Sequence, residues 1–134
     1  GAADMEVRLS SLAKGDVRAV SPDQWFIVGE QPLSHADMKT FLAALEPQAT
    51  GVDQSQGRVR IRIEGRMAER VLAKGTAVDL SIAAFPVGRS TTTRIGHIAA
   101  HLTRRDGPVF EVIVLRGFAE SLWDDLARMS LEFQ

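Results

Sequence analysis

The sequence predicts an α+β fold in which antiparallel strands carry amphipathic helices on one side. Three observations lead there. Between Val52 and Leu80, Val59, Ile61 and Ile63 alternate with Arg58, Arg60, Arg62 and Glu64, the period-two pattern of a strand with one buried face. Gly65 breaks that strand, and Met67, Ala68, Val71 and Leu72 then recur at helical spacing until Gly75. A strand feeding a helix through a glycine is one half of a split βαβ unit. The second observation is Arg105-Asp106-Gly107-Pro108 between two β-prone runs, because Asp-Gly is among the strongest short hairpin signals. The third is an internal echo: residues 17–45 and 97–129 both read strand, polar turn, aromatic strand, linker, amphipathic helix. Two ββα half-units around a central βα unit give a ferredoxin-like arrangement, with helices packed on antiparallel sheet.

Taken in order, Glu6-Val7-Arg8-Leu9-Ser10 is expected to be a short edge strand, and Lys14-Gly15-Asp16 a turn. Val17–Val20 and Trp25–Val28 flank Ser21-Pro22-Asp23-Gln24, whose Pro and Asp suit tight turns, and so form a hairpin. Ser34 is a candidate N-cap with Asp37 three residues on. Met38, Phe41, Leu42 and Leu45 then share one helical face, and Pro47 stops the helix. Ala49–Val52 is expected as a further short strand. Thr91–Leu102 reads as one long β-prone segment running to the Arg105–Pro108 turn. Val109–Leu115 is apolar on both faces, which predicts a central or interface strand. Gly117 ends it, and Leu122, Trp123, Leu126 and Met129 are expected on one face of a last helix.

Composition bounds the function. A chain of 134 residues, 45% hydrophobic, suffices for one core and is short for two ordinary domains. One domain over 1–134 is expected, with a division into lobes 1–51 and 52–134 left open. Sixteen basic and seventeen acidic side chains leave a net charge of -1, which argues against nucleic acid and anionic membranes as partners. With no cysteine there is no disulfide, thiolate metal site or cysteine nucleophile. No apolar run approaches the roughly 20 residues that span a bilayer, and no signal peptide is visible, so a cytoplasmic location is expected. Gly1 in place of Met is read as a cleavage remnant, with the presence of residues upstream left open.

No catalytic constellation stands out. His97 and His101 would align on a helix, but on a strand four residues span about 13 Å, too far for one metal. His35, near a helix start, is expected in solvent. Gly88-Arg89-Ser90-Thr91-Thr92 lacks the GxxxxGK[ST] spacing and a following helix. Asp124 and Asp125, adjacent on a helix, diverge by about 100° and do not form a paired-carboxylate site. Arg58, Arg60 and Arg62 make a basic stripe without interleaved aromatics, unlike an RNA-binding face. They fit a solvated sheet face or a protein interface. Trp25 and Trp123 read as core or interface anchors.

The chain resembles the gamma subunit of heterotetrameric sarcosine oxidase, a family related in fold to the folate-binding domains of the glycine cleavage T-protein. The resemblance is carried by Pro22–Val28, Val52–Arg58, Ile63–Gly75, Val78-Asp79-Leu80 with Phe85-Pro86, and most specifically Phe110–Trp123, in family order. The chain departs at Gly65-Arg66, where the family tends to Gly-Pro, and at Arg116-Gly117, where it tends to Arg-Ser. The resemblance implies a non-catalytic subunit with no cofactor of its own, packed on the alpha subunit beside beta and delta subunits. FAD, FMN, NAD and tetrahydrofolate, and the oxidative demethylation of sarcosine, would belong to those partners. No catalytic, cofactor or metal residues are carried over. Arg58, Arg60, Arg62, Trp25, Ile113 and Leu115 are the candidate partner interface. A stand-alone folate-binding or one-carbon-transfer protein is the alternative, and an RNA-binding module the third reading.

Overall fold

The computed structural model describes residues 2–133 and divides into two compact units, 2–56 and 57–133. The first unit begins with a helix, α1 (Ala2–Leu12), followed by the hairpin β1 (Asp16–Ser21) and β2 (Gln24–Val28), and by α2 (His35–Leu45). The helix at the start corrects the edge strand expected over Glu6–Ser10. Leu9 is the buried residue of α1, and Arg8 Nη2 donates to the Ala44 carbonyl at 2.7 Å. That guanidinium sits at the C-terminal end of α2, where a cation complements the last carbonyls of that helix. The hairpin forms as expected, with Ala19 opposite Trp25 and an irregularity between Ala19 and Ser21. The Ser34 hydroxyl accepts the Asp37 N–H at 3.1 Å, as an N-cap should. Residues 49–52 form no strand.

In the second unit β3 (Arg58–Glu64) leads to α3 (Ala68–Ala73), then β4 (Ser90–Ile95), β5 (Ile98–Asp106), β6 (Val109–Leu115) and α4 (Ala119–Ser130). The four strands form one sheet ordered β3-β6-β5-β4, with every adjacent pair antiparallel. β3 and β4 therefore lie on opposite edges and run in opposite directions. β3 and β5, with β6 between them, run in the same direction, so the parallel pair of a split βαβ unit is present with β4 inserted after α3 in its connection. The hairpin-then-helix order of the echo is present as β1-β2-α2 and β5-β6-α4. The supposed single strand over Thr91–Leu102 is broken by a turn at Gly96-His97. There Gly96 takes φ +61°, a left-handed conformation that costs little only for glycine. Gly96 also donates its N–H to Gly75 O at 2.8 Å. A Cβ on Gly75 would stand 3.0 Å from Ile95 Cγ2 and 3.3 Å from Gly96 N, so the end of α3 meets this turn closely.

The core of this unit lies between one face of the sheet and the two helices. It joins Ile61, Ala100, Leu102, Phe110, Val112 and Val114 from the strands to Ala68, Val71 and Leu72 from α3, and to Leu122 and Leu126 from α4. β6 is central, as its two apolar faces predicted. Residues 74–89 form no strand, yet Leu80 and Phe85 are buried in the core.

What draws that segment inward is Arg104, 1% exposed. On β5 it follows Ala100 and Leu102 at period two and so points at the core. Its Nε donates to Phe85 O at 2.6 Å, and its Nη1 and Nη2 donate to the carbonyls of Gly107 and Leu80. Glu69 Oε2 stands 3.5 Å from Nη2. The guanidinium lies 4.5 Å from the centroid of Phe110, a ring that in turn stacks on Phe85 at 6.4 Å. The Arg104 main chain bonds the same segment, its N–H to Arg89 O and its carbonyl from Gly88 N–H. Replacing Arg104 by Ala strands three carbonyls and one carboxylate. We expect Arg104→Ala to lose about 3–5 kcal/mol of unfolding free energy and Arg104→Lys somewhat less, since one ammonium cannot reproduce the fork. Denaturant unfolding measures this, and a loss below about 1 kcal/mol contradicts the assignment.

The same segment carries Asp79, whose Oδ1 accepts the Ser81 N–H at 3.0 Å. That backbone bond, followed by the Ser81 hydroxyl, holds the Asp79 carboxyl below its ordinary 3.8. A carboxyl depressed in the folded state stabilises it above the ordinary value and loses that contribution as pH falls through the folded one. In an NMR titration Asp79 should therefore have its midpoint below 3.8. Ser81→Ala should move that midpoint upward; an unmoved midpoint rules out the Ser81 hydroxyl as a cause.

Candidate functional site

Antiparallel pairing decides which of the candidate residues meet. Arg58 stands opposite Leu115, Arg60 opposite Ile113 and Arg62 opposite Glu111, so all six occupy one face of the sheet, away from the core residues Ile61, Val112 and Val114. β5 adds His101 beside Ile113 and Thr103 beside Glu111, and β4 adds Thr92 and Ser90. Alternation in β3 and β6 thus brings five of the six candidate interface residues together. Trp25 is on β2 in the first unit, where it is half-buried.

The face is not uniformly exposed. Ile113 is 7% exposed, so it is withdrawn from any surface, whereas Leu115 at the end of β6 is 46% exposed. Glu111 is buried, with its Oε1 3.4 Å from Arg105 Nε and 3.9 Å from Arg60 Nη1. Arg62 is exposed and reaches Glu64 through both Nε and Nη2, at 3.1 and 3.0 Å. The arginines are therefore partly neutralised: Arg60 faces inward onto Glu111, and Arg62 turns along the edge. Sequence reasoning missed Arg105 as a member of this face. It is the extra residue where the β5–β6 register shifts between Arg104 and Asp106, and a bulge re-aims the side chain it carries.

Thr103 and His101, both buried, sit between these charges and the β4 edge. The hydroxyls of Thr103 and Ser90 are 2.7 Å apart. His97 lies exposed in the Gly96-His97 turn, four residues before His101, which β5 takes inward. His35, at the start of α2, is exposed. Among the described residues no group of three or more His, Asp or Glu is placed to hold a metal, and no helix is long and apolar enough to cross a membrane. In the first unit a groove of about 180 Å³ is lined by Leu12, Leu33, Thr40 and Phe41. The Lys14–Asp37 pair at 3.9 Å lies at its side.

Trp123 departs from the sequence expectation. Leu122 and Leu126 are the buried residues of α4, Met129 is half-buried, and Trp123 is 61% exposed. A helical wheel places Trp123 about 100° from Leu122, beyond the stripe that the sheet covers.

This geometry defines a small α+β protein with a mixed apolar and charged sheet face. The chain belongs to the sarcosine oxidase, gamma subunit family, whose profile matches residues 2–132. Among solved structures it is similar to a chain of the heterotetrameric sarcosine oxidase from Corynebacterium sp. U-96 in complex with pyrrole 2-carboxylate. That likeness has a TM-score of 0.81 and 27% identity, over 90% of this chain. The match spans 62% of that structure's chain. No curated protein matches the sequence.

The buried Glu111 gives the face its cohesion. We expect Glu111→Gln to cost about 1–3 kcal/mol, because it leaves Arg60 and Arg105 facing each other without a carboxylate. Replacing Arg60 as well should recover part of that loss. Thermal or denaturant unfolding of the single and double variants tests this, and strict additivity contradicts the proposed coupling.

Proposed function

We propose that this chain is a non-catalytic subunit of a sarcosine oxidase-type flavoenzyme complex and acts in its assembly and stability. The observation that carries the reading is family membership over nearly the whole chain, joined to the similarity with a subunit of a heterotetrameric sarcosine oxidase. In this reading the chain packs on the alpha subunit, with beta and delta subunits completing the complex in the cytoplasm. Those partners hold FAD, FMN, NAD and tetrahydrofolate. They carry the oxidative demethylation of sarcosine to glycine and the folate-linked one-carbon transfer. The fold is of the glycine cleavage T-protein kind, a reading supported by the recurrence of hairpin and helix in β1-β2-α2 and β5-β6-α4.

The sheet face is the proposed contact, with Arg58, Arg62 and Leu115 its accessible members. Arg60 is held from below by Glu111, and Ile113 supports the strand. Charge on an exposed rim governs encounter rate and salt dependence more than final affinity. Trp25, on the first unit's hairpin, is a further candidate contact.

The test is co-expression with the large flavin-bearing subunits of the same oxidase, followed by purification through a tag on this chain. The expected result is co-elution of those subunits with bound flavin. Replacing both Arg58 and Arg62 by Glu should weaken capture by about tenfold. Large subunits that assemble and oxidise sarcosine equally well without this chain, with none bound to it, contradict the reading.

A further inference from the structure

The exposed side of α4 is independent of the arginine-bearing sheet face. Trp123, Ala127 and Leu131 follow one another at four-residue spacing, and Trp123 and Leu131 are each 61% exposed. Glu120 and Asp124 lie about 60° and 100° round the helix from Trp123, on the side away from Leu122 and Leu126. These two carboxylates differ from every other one in the second unit. Glu64 pairs with Arg62, Glu69 with Arg104, Glu111 with Arg60 and Arg105, Asp125 with Arg128, and Glu132 with Lys74. Asp79 and Asp106 accept backbone N–H groups. Among the described residues of the second unit the Glu120 and Asp124 carboxylates alone make neither kind of contact. The helix thus presents an unburied indole flanked by two unpaired negative charges.

Folding does not require this arrangement. Leu122 and Leu126 fill the core without Trp123, and exposing an indole of this size yields no stabilisation by burial. We infer that Trp123, Glu120 and Asp124 form a second docking face, which inserts the indole into an apolar cleft with a basic rim on a large subunit of the complex. Tryptophan is the residue most enriched at binding hot spots, where a ring of less critical contacts excludes water around it. Complementary charge selects the partner. A second copy of this chain would set Glu120 and Asp124 against the same acidic pair, whereas an arginine- or lysine-rimmed cleft neutralises both. The inference rests on the proposed subunit role but not on the sheet-face contact.

The experiment uses the co-expressed complex and the chain alone. Trp123→Ala should weaken capture of the large subunits at least about 30-fold, the size of a hot-spot loss. The double charge reversal E120K/D124K should weaken it comparably. The circular dichroism of the free chain should be unchanged in both variants; its unfolding midpoint should hold in Trp123→Ala and fall only slightly in E120K/D124K, where a lysine replaces the first-turn carboxylate of α4. Hydroxyl-radical footprinting followed by mass spectrometry should show Trp123 protected in the complex and reactive in the free chain. Wild-type capture with undiminished capture by Trp123→Ala, or a Trp123 equally reactive in both states, overturns this inference and leaves the subunit role standing. Absence of capture by the wild-type chain overturns both. A free chain that dimerises, and becomes monomeric on Trp123→Ala, overturns the choice of partner.

Discussion

The second unit depends on a guanidinium held inside it. A buried cation without partners would be prohibitively costly, so Arg104 tolerates its position only with its acceptors in place. Those acceptors come from parts of the chain with no regular structure to hold them: Leu80 and Phe85 in the long connection after α3, and Gly107 in the β5–β6 turn. Cause runs in both directions here. The connection lies against the sheet because Arg104 needs its carbonyls, and Arg104 can be buried because Phe110 and Phe85 shield it from water.

That dependence separates the parts of the fold that were legible in the sequence from those that were not. The regular elements with a single dominant pattern were readable. The Val59–Ile63 alternation, the Asp106-Gly107 hairpin and the α2 cap at Ser34 all occur where local chemistry placed them. The central position of β6 was readable too, because a strand apolar on both faces would leave one of them in water at an open edge. Three features were not. The amino-terminal helix was hidden because Glu6–Ser10 alternates like a strand over a run too short to display a helical period. The turn at Gly96-His97 was absorbed into a β-prone run whose residues suit a strand on either side of it. Arg104 was passed over beside the conspicuous turn after it. Continuing the Ala100, Leu102 alternation by one step would have placed that charge on the core face and raised the question of its partners.

The candidate site was legible in its members and illegible in its electrostatics. Alternation along β3 predicted that the three arginines share a face, and pairing with β6 puts Ile113 and Leu115 beside them. It could not show that Glu111 lies below Arg60, because that contact requires the β3–β6 register. Nor could it show that the bulge aims Arg105 at the same carboxylate. The wheel for α4 likewise put Trp123 with Leu122 and Leu126. The outcome turned on how wide a stripe the sheet covers, and it covers one that ends short of the indole.

Edge position gives the arginine stripe a physical role before any partner is considered. β3 is an edge of the sheet, and an edge strand with free backbone groups invites pairing with another chain unless charge or twist opposes it. Arg58, Arg60 and Arg62 supply that charge at every second residue, and Arg62 with Glu64 keeps a hydrated ion pair at the strand's end. On the opposite edge β4 achieves polarity with Ser90, Thr92 and Arg94 instead. The asymmetry matters. Both edges resist indiscriminate strand addition, but only β3 does so with a run of cations backed by a buried carboxylate. On the helical side of the same unit the signs are reversed, with Glu120 and Asp124 around an exposed indole. A module with basic residues on one edge and acidic residues around an apolar anchor on another face can distinguish two surfaces by charge alone.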